Sequence, residues 1–294
     1  MTVAPLEAHT TVRIKPLVTY TPSLGELVRG GTLPESLHEA YGSDLWIPLR
    51  TDRPTLVANF VSSIDGVASF NVPGQAGGGE ISGFFEPDRF LMGLLRSMAD
   101  AVLVGASTLR DTPAHVWAPA YTHPASAEAF ADLRSRLGLA VQPTTVVLTA
   151  SGDIDLSRKG LSNPAVPVTI ITTDEGRTAL HRQAPVAGHV EIVSGGAERV
   201  DAGRIVEILH DRGARLVLCE GGPHLFGQLV SAGLVDELFM TLSPQIAGRS
   251  AATPRLAMVE GTAFALADAP WSELVDVRKS GSHLFTRYRL QEAS

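Results

Sequence analysis

The chain of 294 residues contains one cysteine, Cys219. An intramolecular disulfide is therefore impossible, and no zinc site built on cysteines can form. His189 and Glu191 match H-x-E, but the P-C-x-x-C half of a deaminase zinc site is missing, so the match reads as chance and no metal is expected. Long basic runs are absent and the net charge is -7, which argues against nucleic acid and against an anionic membrane as partners. No apolar run reaches about 18 residues, so no membrane span is expected. The start, "MTVAPLEAHTTVRIKP", lacks a basic stretch followed by an apolar block and does not read as a secretory signal. A cytoplasmic location is the default expectation. No G-x-G-x-x-G follows a strand pattern and no G-x-x-x-x-G-K-[ST] occurs, so the common dinucleotide and phosphate-loop signatures are missing too.

What is present fits a soluble globular protein with a sizeable core: 44% of residues are hydrophobic and 19% charged. Residues 1–50 are mixed, with Pro and Gly scattered through them, and are expected to form an N-terminal arm. One short helix is expected there in "LPESLHEAYG", capped by Gly42. Residues 51–294 read as one domain. From Leu56 onward, short apolar strands alternate with helices. "LVANFVSSIDG", "AVLVGAST", "TTVVLTASG", "VPVTIITTDEG", "EIVSGG" and "LVLCEGG" are strand patterns. "EPDRFLMGLLRSMAD" is a helix with Pro87 in its first turn and Phe90, Leu91, Leu94, Leu95 and Met98 on one face. "ELFMTLSPQIAG" is a strand that cannot continue through Pro244, and the tail reads as two strands joined at Ser280–Gly281. This pattern predicts an α/β fold: a mostly parallel, doubly wound sheet with an antiparallel C-terminal edge.

In open α/β sheets, ligands bind outside the carboxyl ends of the strands. Three such ends draw attention: Ser62 to Gly66, Val104 to Pro113, and Glu220 to Pro223. The last two pass from a strand through glycine into a helix start. Glycine lets a phosphate approach the backbone, and the first N–H groups of a helix have no internal partner. A glycine at a strand–helix turn is also an ordinary turn, so this spacing alone leaves both readings open. Glu220 ends a buried strand, where a carboxylate must be paired, hydrogen-bonded or reached by solvent.

Read in order, "SSIDG", "LLRSMADAVLVGASTLRDTP", "LCEGGPHLFGQLVSAGLVDELFMTLSPQIAG" and "GSHLFTRYRL" resemble the reductase domain of riboflavin biosynthesis. The resemblance spans about Leu56 to Leu290. It implies a dihydrofolate-reductase-like fold and reduction of a ribosylaminopyrimidine phosphate by NADPH, with a homodimer as the assembly. An apolar late strand, "LFMTL", near an expected sheet edge adds to the homodimer expectation. For the cofactor, the resemblance implicates Gly105, Thr108, Asp111 or Thr112, Ser151 near an adenosine 2′-phosphate, and Gly221, Gly222 and Pro223 at the pyrophosphate. For the heterocyclic substrate it implicates Ser63, Ser82, Arg96 and Glu220. Asp65 is the candidate acid. Each has a plainer reading: Thr108 as a helix cap, Asp111 and Ser151 as turn residues, Arg96 as a solvated arginine, Asp65–Gly66 as a turn pair. Two positions depart from the family. Val67 stands where a Lys or Arg usually follows D-G, and after "DTP" only His115 stands near an expected arginine. Alternatives are therefore a reductase of drifted specificity, including dihydrofolate reductase activity, or a nucleotide-binding protein without turnover.

Overall fold

The computed structural model describes residues 12–23, 25–72, 77–183 and 186–291. Among these residues twelve strands run in chain order: β1 Lys15–Val18, β2 Val28–Gly31, β3 Leu45–Pro48, β4 Thr55–Ser62, β5 Ala101–Gly105, β6 Thr144–Leu148, β7 Val168–Thr172, β8 Val190–Ser194, β9 Leu216–Cys219, β10 Glu237–Leu242, β11 Ser272–Ser280 and β12 His283–Leu290. The helices are α1 Glu35–Tyr41, α2 Gly78–Ser82, α3 Glu86–Met98, α4 Ala106–Asp111, α5 Pro119–Thr122, α6 Ala127–Arg136, α7 Lys159–Ser162, α8 Asp174–Gln183, α9 Ala202–Asp211 and α10 Pro223–Ser231.

Ten strands form one sheet in the order β1-β11-β12-β10-β4-β9-β5-β6-β7-β8, and β2 and β3 form a separate hairpin. From β10 to β8 every neighbouring pair is parallel. The pairs β10–β12, β12–β11 and β11–β1 are antiparallel. This is the doubly wound sheet with an antiparallel edge that the sequence pattern predicts. One detail differs. β10, which carries "LFMTL", is hydrogen-bonded on one side to β12 and on the other to β4, so it is internal. The hairpin of β11 and β12 is laid outside it, and the true edges are β1 and β8.

Strand alternation divides the core into two layers. In β9, Leu216 and Leu218 face one layer, whereas Val217 and Cys219 face the other. In β5, Val102 and Val104 share the first layer, and Ala101 and Leu103 the second. Helix α3 covers the first layer with Phe90, Leu94 and Met98; α9 and α10 cover the second with Ile205, Ile208, Phe226 and Leu229. Each such buried side chain contributes roughly 1.5–3 kcal/mol. The segment expected as an arm lies against the first layer. Leu37, Tyr41, Leu45 and Ile47 are buried there, and the Arg278 guanidinium stacks 3.6 Å from the Tyr41 ring. Gly42 closes α1 in the left-handed conformation, as its place in the sequence predicts.

The connections place the site. The chain leaves β5 through α4, whose Leu109 joins the first layer. It leaves the adjacent β9 through α10, whose Leu225 and Phe226 join the second. Two neighbouring parallel strands thus send their chains to opposite faces, which opens a crevice at their carboxyl ends.

Candidate active site

Two glycine turns meet in that crevice. Gly105 ends β5 and is the N-cap of α4; Gly222 is the N-cap of α10, with Pro223 in its first turn. A Cβ built on Gly221 would lie 3.4 Å from the Gly105 nitrogen and 2.5 Å from Leu225 Cδ2. On Gly222 it would lie 3.3 Å from Thr108 Oγ1 and 3.4 Å from Ser107 Oγ. The backbone at both turns is therefore bare, closely opposed and flanked by hydroxyls. The opening amides of α10 add donors that no helical carbonyl uses. Such a cradle fits a pyrophosphate, because a side chain at either turn would fill the space that anion needs. Thr108 belongs here as a hydroxyl facing Gly222 rather than as a cap, since the cap position is Gly105.

The other expected cofactor residues are spread along the same edge. Asp111 is the last residue of α4, and burial raises its carboxyl above the ordinary range. Thr112 donates its hydroxyl to the Thr108 carbonyl at 2.7 Å. Ser151 follows β6, one strand beyond β5, and is exposed; its hydroxyl accepts from the Asp153 amide at 3.2 Å. Arg110 reaches the same turn, with Nη1 3.4 Å from the Asp153 carbonyl oxygen.

On the other side of the cradle lies a cluster of polar side chains. Glu220, the first residue after β9, receives Arg96 Nε at 2.9 Å and Nη2 at 2.5 Å. Arg96 also donates to the Val116 carbonyl at 3.3 Å and to the Thr122 hydroxyl, and its Nη2 stands 2.9 Å from His115 Nε2. A guanidinium has five N–H groups, and these contacts use all five. Arg96 is 1% exposed. It is therefore neither a solvated arginine nor a hand free to take a substrate phosphate: it is the buried partner that fixes Glu220. Burial and the nearby charges of Arg96 and Arg89 push His115 down to about 3, so its ring is neutral and supplies no cation.

A residue that sequence reading missed completes this cluster. Asp88, in the first turn of α3, is buried beside the hydroxyls of Ser82 and Thr241. Burial and then the charge of Glu220 push its carboxyl up, to about 6, against the pull of those two hydroxyls. In the sequence, Asp88 is one of two acids at a helix start, where acids are common. Its burial comes from α2 and β10, which no local pattern joins to it. Ser82 is the last residue of α2, and its hydroxyl lies beside Asp88.

Ser63 and Asp65 do something else. The Ser63 hydroxyl donates to Asp65 at 2.6 Å and accepts the Val67 amide at 3.0 Å. Asp65 also accepts the amides of Ala247 at 3.0 Å and Gly248 at 2.7 Å. These donors hold its exposed carboxyl far below the usual range, led by the Ser63 hydroxyl. A group in that state keeps its charge and has no proton to give. Asp65 ties the turn after β4 to the loop after β10. Val67 is fully buried against Val61 and Ile81 under α2.

Among the described residues, no cluster of His, Cys, Asp or Glu could hold a metal ion, and no helix is long and apolar enough to cross a membrane.

Residues 54–278 match the family model described as the RibD C-terminal domain. The 2,5-diamino-6-ribosylamino-4(3H)-pyrimidinone 5′-phosphate reductase of Archaeoglobus fulgidus is 30% identical over 206 residues, which are 68% of this chain and 85% of that protein. The reductase of the same name from Methanothermobacter thermautotrophicus is 28% identical over 242 residues, 81% of this chain and 99% of its own. In structure, a pyrimidine reductase-like protein of Corynebacterium diphtheriae superposes with a TM-score of 0.62 at 22% identity, covering 89% of this chain and 96% of the other. That last likeness speaks to the fold.

Proposed function

The chain belongs to the family of the RibD C-terminal domain and is an oxidoreductase of the pyrimidine-reductase type, and from that premise we propose that it reduces a ribosylaminopyrimidine phosphate with NADPH, as a step of riboflavin biosynthesis. The observation that carries this reading is the meeting of two bare glycine turns next to a carboxylate fixed by Arg96 and a second, buried carboxyl at Asp88. Gly105, Gly221, Gly222 and Thr108 would hold the cofactor pyrophosphate. Ser151, with Arg110 beside the same turn, would face the adenosine 2′-phosphate. When bound, the cofactor supplies hydride to ribose C1′ in its open, imine-like form.

This chain's residues do the rest. Glu220, held by Arg96, has lone pairs left to accept hydrogen bonds from the heterocycle, and so orients it. As C1′ gains a hydride, the imine nitrogen must gain a proton. Asp88 would give it, because burial pushes its carboxyl up and lets it keep a proton to higher pH than an exposed one would. The hydroxyls of Ser82 and Thr241 then steady the resulting carboxylate.

A second reading is favoured by one specific finding. Arg96 has no free N–H, Val67 is apolar and His115 is neutral. None of these three offers a substrate phosphate a free positive charge. A reductase of drifted specificity, acting on a pyrimidine or pteridine without that phosphate, suits such a site. Cofactor oxidation measured with the phosphorylated pyrimidine, its dephosphorylated form and dihydrofolate separates the readings. Turnover of the phosphorylated compound, faster with NADPH than with NADH, is the expected outcome. Reduction of only the other two favours drift, and cofactor binding without any oxidation overturns both.

A further inference from the structure

Phe84 is doubly out of place. Its φ is +54°, a left-handed conformation that costs a bulky side chain roughly 1–2 kcal/mol, and it is 65% exposed. Among the described residues only Asn71 is another non-glycine with positive φ, and asparagine tolerates that conformation through its short polar side chain. The preceding Gly83, at φ +67°, already gives α2 its left-handed cap, so the strain at Phe84 is an extra. The link is held firmly. The Phe84 amide donates to the Gly79 carbonyl at 2.7 Å, and the next residue, Phe85, stacks on His283 at 4.0 Å with an interplanar angle of 9°.

The ring itself lies over Gly79: a Cβ there would meet Phe84 Cε1 at 2.8 Å. A ring laid on a glycine buries little apolar surface, so packing does not repay the strain. Gly79 and Ser82 are three residues apart, hence on the same side of α2. Ser82 is the residue whose hydroxyl stands beside Asp88. The Phe84 ring thus lies against the side of α2 from which Ser82 reaches Asp88. Strain preserved in an exposed aromatic residue near a site is the kind of outlier that points to function.

We infer that Phe84 is a stacking platform for the planar heterocycle of the substrate, holding the ring while its polar edge meets Glu220 and its reacting end meets Asp88. This rests on the reductase reading above and adds a substrate-positioning residue to it. A π-face accepts any planar ring, pyrimidine or pteridine, so the same residue serves both substrates considered there.

The test uses the full chain saturated with NADPH, and lumazine as a planar, fluorescent probe. Phe84→Gly removes the ring and relieves the backbone. Phe84→Tyr keeps the ring. The expected result is about tenfold or greater loss of lumazine affinity in F84G, near wild-type affinity in F84Y, unchanged NADPH affinity, and a thermal midpoint in F84G no lower than wild type. If F84G binds lumazine as wild type does, the platform is refuted while the reductase reading stands. If F84G instead melts well below wild type and loses NADPH as well, Phe84 is a packing residue and the inference is equally refuted. If wild type binds NADPH but no planar heterocycle at all, the reductase reading itself fails and takes the platform with it.

Discussion

Arg96 and Asp88 sit on the same helix and behave in opposite ways. Arg96 is charged, buried and fully bonded; Asp88 is buried without a cationic partner among the groups that shift it. Removing one partner of a buried ion pair leaves the other charge stranded, which costs about 3–5 kcal/mol. Arg96→Ala is therefore expected to lower stability by that order in urea unfolding and to depress turnover through a misplaced Glu220. A stable variant changed only in KM for a phosphorylated substrate would contradict this. Asp88 has the reverse sign. Its folded-state value of about 6 lies above the ordinary 3.8, so the folded protein binds the proton more tightly than the unfolded chain. Stability contributed by this group is present below about pH 4 and is lost as pH rises towards 6, a change of roughly 3 kcal/mol. Asp88→Asn should then be at least as stable as wild type at pH 7, yet turn over far more slowly. Wild-type turnover should fall as pH rises through about 6, and the variant should lack that limb. A pH profile unchanged by the substitution would remove Asp88 as the proton donor.

The elements whose pattern is local were legible in the sequence, and those that depend on distant packing were not. α3, β9 and α10 announce themselves through apolar periodicity, Pro87 and Pro223 near the helix starts, and glycines at the turns. β9 and α10 form one side of the cradle, and α3 carries Arg96 and Asp88 beside it. α2 is hidden because it opens on consecutive glycines, a poor local signal for helix. Its formation depends on Gly78 fitting over Val61 and Ile81 joining Val67 beneath it. β1 is hidden likewise: its four residues include Pro16, and it exists by pairing with β11 more than 250 positions away. D-G after a strand reads the same in sequence whether its acid faces a ligand or ties down a loop, and the bonds of Asp65 to the amides of Ala247 and Gly248 have no local signal. At the cradle itself, Gly105 offers a clean test. A methyl group there would come no closer than 3.7 Å to another side chain or backbone atom, and the residue has an ordinary φ of -83°. Gly105→Ala should keep wild-type stability and lose at least about tenfold in NADPH affinity by calorimetric titration, because only an approaching phosphate meets the new methyl. Unchanged affinity would place the pyrophosphate elsewhere.

Across the whole molecule, the sheet keeps chemistry at the carboxyl ends of its parallel strands and adds an antiparallel edge on the far side of β10. That edge ends at β1, where Leu17 and Val18 are 57% and 51% exposed. The homodimer implied by the family resemblance is therefore proposed at the β1 edge and not at "LFMTL", which is covered on both sides. Light scattering at micromolar concentration is expected to give twice the chain mass, and Leu17→Lys to reduce it; a monomer would refute the proposal. The direct test of the chemistry is isotopic. NADPH carrying deuterium at the transferred position is incubated with the ribosylaminopyrimidine phosphate, and the product is examined by mass spectrometry and NMR. One deuterium on the former ribose C1′ for each cofactor oxidised is the expected result. Oxidation of the cofactor without deuterium at that carbon, or occupancy of the cradle with no oxidation, would contradict hydride transfer in this crevice.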